Sequence, residues 1–246
     1  LGIAERRERE KEQLRTRIVE AARDILSESG LEGLSMREIA RRIEYSPATI
    51  YLYFQNKDEL IKAVVVEGFR LLGAYAREEM ERVGPEATAS ERYWGSGRGY
   101  VRFALENTAY FHVIFDLPMA AAWEDCPQPA EGETSITEER TFERVVMLLE
   151  QATREGTFKL EDAERAAVVG WAMLHGVMSL YLSGHLREVA PSREDLDALV
   201  DWAMATVGTA WRTGVTMPPV AARNGSAGGG AGEPATLAES GAESES

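Results

Sequence analysis

Within twelve residues, from Ser46 to Lys57, the chain sets the hydroxyls of Thr49, Tyr51 and Tyr53 between a Ser-Pro pair and a lysine. Side chains of these types recognise rather than transform. Hydroxyls donate to or accept from base edges and phosphate oxygens, apolar atoms on Pro47, Ala48 and Leu52 can meet a thymine methyl, and the Lys57 ammonium suits a phosphate. Chemistry of turnover has no comparable set. There is no Gly-x-Ser-x-Gly, no Cys/His pair in sequence context and no phosphate-cradling glycine loop. The lone Cys126 cannot close an internal disulfide, and His112, His175 and His185 are spaced too widely for a helical i,i+4 metal pair. The chain therefore reads as a non-enzyme with no catalytic residue, no cofactor and no metal.

The element that must carry these hydroxyls gives conflicting signals. Thr49-Ile-Tyr-Leu-Tyr-Phe54 is β-branched and aromatic enough for a strand, yet Ser46 can cap a helix, Pro47 suits its first position, and Asn56 with Glu59 offers another capping pair downstream. No partner run for strand pairing lies nearby. The stretch reads as a short helix, about Pro47 to Tyr53, held by Ile50 and Phe54 facing inward because it is too short to persist alone. Upstream, Leu14, Ile18, Ala21, Ala22, Ile25 and Leu26 mark a helix over about 14–29 with Gly30 as its C-cap. Ser35-Met-Arg-Glu38 forms a capping box for a second helix that buries Ile39, Ala40 and Ile43 and exposes Arg37, Arg41 and Arg42. Helix, tight break at Glu44-Tyr45, helix is helix-turn-helix spacing. In that motif the second helix enters the major groove and the first crosses the backbone, which puts Ser46, Pro47, Ala48, Thr49, Tyr51 and Tyr53 at the groove. Ser35 and Arg37 then face backbone on the other side, and Lys57 sits beside helical amides that favour a phosphate oxygen.

From Lys57 onward longer helical patterns follow, over about 57–82, 90–106, 108–116, 137–155, 162–186 and 192–213, separated by Gly84-Pro85, Pro118, Cys126-Pro-Gln-Pro-Ala-Glu-Gly132, Gly156 and Pro191-Ser192. The fold class is all-α, a three-helix head on a larger helical body. Four segments result: a charged arm, 1–13, frayed or disordered; the head, 14–60; the body, 61–215; and a Gly, Ala, Glu and Ser-rich acidic tail, 216–246, too poor in apolar side chains to order itself.

Charge divides along the same line. The chain carries a net charge of -14, but residues 1–57 hold 11 Lys/Arg and 10 Asp/Glu against 16 and 31 in the remainder. The acidic body repels nucleic acid, so contact belongs to the near-neutral head. No run reaches the roughly 20 apolar residues that span a bilayer, and the first residues are charged where a secretory signal turns apolar, which places the protein in the cytoplasm, away from the membrane.

Residues 14–60, with Ile18-x-x-Ala-Ala22, Gly30-Leu31, Ser35-x-Arg-Glu-Ile-Ala40, Thr49-Ile-Tyr-x-Tyr-Phe54 and Lys57-x-x-Leu60, resemble the DNA-binding head of the TetR family of bacterial transcriptional regulators. The resemblance implies DNA contacts by Thr49, Tyr51, Tyr53 and Lys57, with Arg37 on backbone. It also implies a homodimer, in most members a repressor released from a palindromic operator by a small-molecule effector. Glu44-Tyr45 departs from the family, which usually has a glycine and a small apolar residue in that turn.

In the body, Ala163–Leu182 is apolar nearly all round after its first turn, the pattern of a helix buried on every side. Ala166 with Gly170 and Ala172 with Gly176 set small residues four apart, where another backbone can approach. Together with the amphipathic helix at 192–213, the 162–186 helix is expected to form a four-helix dimer interface, the isologous pairing that sets two heads about 34–36 Å apart on DNA. Trp171-x-x-x-His175-Gly176 resembles the C-terminal domain type named for its Trp-His-Gly motif in the same family. His175 is either a ligand-sensing group or a core histidine satisfied internally. Tyr75, Trp94, Tyr100, Phe103, Tyr110, Phe111, Phe115, Trp123, Phe142, Met147, Trp171, Met173 and His175 are the candidates to line a mostly apolar pocket. Two alternatives stand beside this reading: a helical ligand-binding dimer without regulatory DNA binding and, with no motif in its favour, an enzyme.

Overall fold

Apolar residues recurring every three or four positions make helices throughout, and the computed structural model, which describes residues 2–115 and 138–214, contains no strand among them. In chain order the helices are α1 (Ile3–Gly33), α2 (Met36–Ile43), α3 (Pro47–Tyr51), α4 (Lys57–Arg82), α5 (Ala89–Glu106), α6 (Thr108–Phe115), α7 (Glu138–Arg154), α8 (Ala163–Leu182) and α9 (Arg193–Thr213). The 216–246 tail and Trp123 lie outside the described residues. The described residues form one compact unit, in which α4 belongs to head and body alike.

The first helix corrects the expectation of a frayed arm. It starts at Ile3, because Glu5 accepts from the Gly2 N–H, Arg6 pairs with Glu10, and the Glu/Arg/Lys/Gln run consists of good helix formers. Its C-terminal end was legible: Gly30 breaks the helix at φ 62°, a conformation that costs glycine little. Ser35 caps α2 by accepting from the Glu38 N–H at 3.1 Å, but the reciprocal half of the expected box is absent. The Glu38 carboxylate binds the Arg41 guanidinium instead. Residues 183–186 leave the expected 162–186 helix, since Gly184, at φ 79°, turns the chain and the His185 N–H bonds back to the Leu180 carbonyl.

In the head, Ile18, Ala22, Ile39, Ile50, Phe54 and Leu60 are buried in one core that continues through Val64 and Phe69 into the body. Within the body, α4 and α5 cross at backbone contact. A Cβ on Gly99 would stand 2.5 Å from the Ala76 Cα, and one on Gly95 would stand 3.0 Å from the Glu79 carbonyl oxygen. A smaller core joins α5, α7, α8 and α9 through Tyr93, Leu149, Ala167 and Trp211, with Phe158 from the α7–α8 connection.

Helix α8 departs from expectation twice. At 20 residues and mean hydropathy 1.2 it is long and apolar enough, by those two measures alone, to cross a bilayer, contrary to the sequence count. It is also not buried on every side: Val169, Ala172 and Leu180 are exposed. The two small-residue pairs differ accordingly. Gly170 makes room for the Tyr93 and Trp211 rings of its own chain, whereas a Cβ on Gly176 would meet nothing within 4 Å.

Candidate nucleic-acid interface and internal cavity

Helix α3 has five residues, shorter than the expected Pro47–Tyr53, and the turn tightens after it: the Leu52 N–H bonds to Thr49 O and the Tyr53 N–H to Ile50 O. Ser46 caps it, its Oγ accepting from the Thr49 N–H at 3.2 Å and lying 2.9 Å from Thr49 Oγ1. Ile50 and Phe54 are buried, which holds the helix by packing as its length requires. Pro47, Ala48 and Tyr51 stand exposed, Thr49 is half-buried, and Leu52, at 82% exposure, is the most open large apolar side chain of the chain's described residues.

The other expected contacts are distributed less simply. Arg37 is exposed on the first turn of α2, with Ser35 engaged as its cap. Tyr53 is half-buried and its ring packs on the head core. The Lys57 ammonium is not simply aimed outward, because it donates to the Leu31 carbonyl, tying the last turn of α1 to the first turn of α4. An ammonium has three donors, so this bond positions the cation without exhausting it. Arg42 binds Glu28 and Arg41 binds Glu38, which raises both guanidinium pKa values through those hydrogen bonds and offsets two of the head's cations, although Arg41 stays exposed.

The turn that departs from the family is accommodated at a cost. Glu44 adopts φ 62° and ψ 42°, the left-handed conformation that glycine supplies elsewhere, and it is the one non-glycine residue with positive φ among those described. Tyr45 fits because the Arg17 guanidinium, which also donates to Ile43 O, lies 5.5 Å from its ring centre. That exposed ring just before α3 is a surface residue the sequence reading did not select.

In the body, α4 to α8 line a partly open cavity of about 330 Å³ with nearly all-apolar walls. Trp94, Tyr100, Phe115, Phe142 and Trp171 line it as expected. Phe103, Tyr110 and Phe111 are core instead, Met173 packs against that core, and Met147 is 55% exposed at an outer groove. Tyr75 donates to Glu106 at 2.8 Å outside the cavity. Sequence reasoning missed Phe69, Leu72 and Ala76 on α4, Tyr93, Ser96 and Gly97 on α5, Thr141 and Val145 on α7, and Ala167, Val168, Gly170 and Leu174 on α8. The available signal was the pair of small residues Ser96 and Gly97 in α5, which line the cavity between the bulky Trp94 and Tyr100.

His175 stands behind the wall. Its Nδ1 lies 2.9 Å from the Tyr100 hydroxyl, its ring stacks on Phe111, and Phe115 meets it edge-on. It thus fixes Tyr100, whose ring faces the cavity. Burial pushes the Tyr93 phenol well above its ordinary pKa, so it remains a neutral wall residue.

A helix-turn-helix head joined by one continuous helix to a hollow helical body is the architecture of a ligand-responsive regulator. Residues 18–64 match the family described as bacterial regulatory proteins, tetR family, and residues 95–207 match the Tetracyclin repressor-like C-terminal domain, a span that includes Trp171, His175 and Gly176. The chain belongs to the TetR family. It is 38% identical to the transcriptional regulator UidR of Escherichia coli over 74 residues, which are 30% of this chain and 38% of UidR. With Rv1816 of Mycobacterium tuberculosis it shares 27% identity over 112 residues, 44% of this chain and 46% of that protein. The matches thus span less than half the length of these curated relatives. A Rhodococcus protein of unknown function has the same fold, with a TM-score of 0.63 at 25% identity, covering 81% of this chain and 95% of its own. A TetR family regulator from Marinobacter aquaeolei also scores 0.63, at 18% identity, covering 83% and 98%.

Proposed function

We propose that this chain is a cytoplasmic homodimeric repressor that binds a palindromic operator through Arg37, Thr49, Tyr51 and Lys57 and is released by a small, largely apolar effector. The observation that carries this reading is α4: its first residue, Lys57, is tied to the head, and its Phe69, Leu72 and Ala76 are cavity wall. An effector that wedges α4 tilts the helix and changes the spacing of two heads, which spoils simultaneous docking in adjacent major grooves. Operator then weakens effector binding by the same factor. The protein acts by binding and not by turnover, and the exposed Val169, Ala172 and Leu180 of α8, with the half-buried Gly176 between them and Trp202 of α9 at 70% exposure, supply the dimer face.

The test is selection of duplexes from a random pool by the full-length chain, followed by titration at several salt concentrations. One inverted repeat should emerge, bound with steep salt dependence, and Thr49→Ala should lose base discrimination while Arg37→Ala weakens all duplexes alike. Equal binding to every duplex at moderate salt sinks the reading.

A further inference from the structure

The inner cavity does not end in a blank wall. It shares Ala76, Ser96, Thr141 and Val145 with an outer groove of about 600 Å³ between α4 and α7. Only small or short side chains stand at this junction, with Gly73 beside them on the groove side. Their chemistry differs sharply. The inner part is aromatic and uncharged, whereas the groove is lined by Arg77 from α4 and by Arg144 and Glu143 from α7.

Both arginines are exposed, and among the described residues neither has an ion-pair partner. Neighbouring guanidiniums on α4 and α5 are all bound: Arg70 by Glu67, Arg82 by Glu78 and Glu79, Arg102 by Glu78, Glu79 and Glu106. Among the described residues, Arg77 and Arg144 enter no ion pair, although residues 58–246 are strongly acidic. With Glu143 counted, the groove keeps one surplus positive charge. Guanidiniums bind carboxylates in a two-pronged geometry, and one surplus charge balances one carboxylate.

We propose that the effector is a singly charged anionic amphiphile, an apolar tail in the aromatic cavity and a carboxylate in the groove between Arg77 and Arg144. The inference rests on the effector-released reading above and specifies what that site takes. It also gives the charge a mechanical role. Arg77 lies on the helix that carries the head, so a carboxylate bridging it to Arg144 pulls α4 toward α7 while the tail fills the space behind.

Decanoate, decanol and decylamine share a tail and differ in head charge, and their binding to the full-length chain is read by quenching of the tryptophans that line the cavity. Decanoate should bind about tenfold tighter than decanol, as expected for charge-assisted hydrogen bonds, with decylamine weakest. In the Arg77→Gln/Arg144→Gln double variant the decanoate advantage should vanish while decanol affinity is unchanged, which also certifies the fold. Decanol binding as tightly as decanoate, an advantage that survives both substitutions, or no binding by any of the three overturns the proposal. So does joint loss of decanol and decanoate binding in the double variant, because the arginines would then shape the cavity without reading charge. Operator binding is scored separately: a chain that binds no duplex yet prefers decanoate overturns the repressor reading and leaves this ligand class standing.

Discussion

The Arg23 guanidinium of α1 lies 5.0 Å from the centre of the Tyr110 ring in α6. Five residues on, Phe115 is cavity wall, so a single short helix touches the head at one end and the cavity at the other. Burial raises the Tyr110 phenol to about 12, so the ring presents a neutral face to the cation at ordinary pH. The Tyr110→Phe change keeps that face and should leave release unaltered. The Tyr110→Leu change removes it, and the factor by which an effector weakens operator binding should fall roughly two- to fivefold, the equivalent of about 0.5–1 kcal/mol. Operator titrations with and without a saturating effector measure this directly. Equal coupling in both variants would sever the link between Arg23 and Tyr110.

Glu44 holds a conformation that costs a side-chain-bearing residue more than glycine. Replacing it with glycine, which is less favoured by its own chain entropy, should still stabilise the protein by about 0.5–1 kcal/mol. A thermal melt should shift upward by a few degrees, about the scale for a domain of this size. The same change removes an acid beside α3, so affinity for duplex should not fall. A lower melting temperature would show that the turn takes its shape from the Glu44 side chain.

These two cases mark what the chain made legible. The capped short helix, the Gly30 break and the α4 connection could be read because each rests on local spacing: Ser46 to Thr49, Asn56 to Glu59, four-residue apolar steps. Lys57 could not be placed fully, since its partner is a carbonyl 26 residues away. The cavity was harder still. Tyr110, Phe111 and Phe115 share one helix, yet only Phe115 faces the open space, and that choice is made by α4, α5 and α8 packing around α6. The arm failed for the opposite reason: a fully charged run looks solvated whether or not it is helical.

Acid should loosen the α4–α5 contact in a defined window. The Tyr75 hydroxyl and then the Arg102 guanidinium hold Glu106 below the ordinary carboxylate value of 4.5. A depressed folded-state pKa contributes stability that is complete above the unfolded value and is lost as pH falls through the folded one. The loss therefore begins below pH 4.5 and not in the neutral range. In Tyr75→Phe the Glu106 carboxyl should titrate closer to 4.5, visible by carbon-detected NMR, and the acid limb of stability should flatten. Glu106 is half exposed, so the effect is small. An unchanged Glu106 titration in the variant rejects the assignment to Tyr75.

Gly170 and Gly176 sit on one helix and predict opposite outcomes. A Cβ on Gly170 would stand 2.1 Å from the Tyr93 hydroxyl oxygen and 3.2 Å from the Trp211 ring. Tyr93 is buried and can yield only toward the cavity it lines, so Gly170→Ala should destabilise by about 1–3 kcal/mol and weaken effector binding. Duplex binding, measured well below the melting temperature, should persist. Retained effector affinity would mean that Tyr93 swings elsewhere.

Gly176 offers the sharper test because its surroundings are open within one chain. Val169, Ala172 and Leu180 on the same face are apolar and exposed, the kind of patch that marks an interaction surface. If a second copy does so, the glycine marks the place where two α8 helices cross closest, and any long side chain there separates them. Gly176→Arg should keep the helical content of the protomer, seen by circular dichroism, yet sediment as a monomer. A monomer has one α3, so inverted-repeat binding should fall to the affinity of a half-site. Gly176→Ala, adding a single methyl, should fall between the two. If Gly176→Arg stays dimeric and binds the full repeat as tightly as the natural chain, the interface lies elsewhere, and the exposed Trp202 of α9 becomes the next position to substitute.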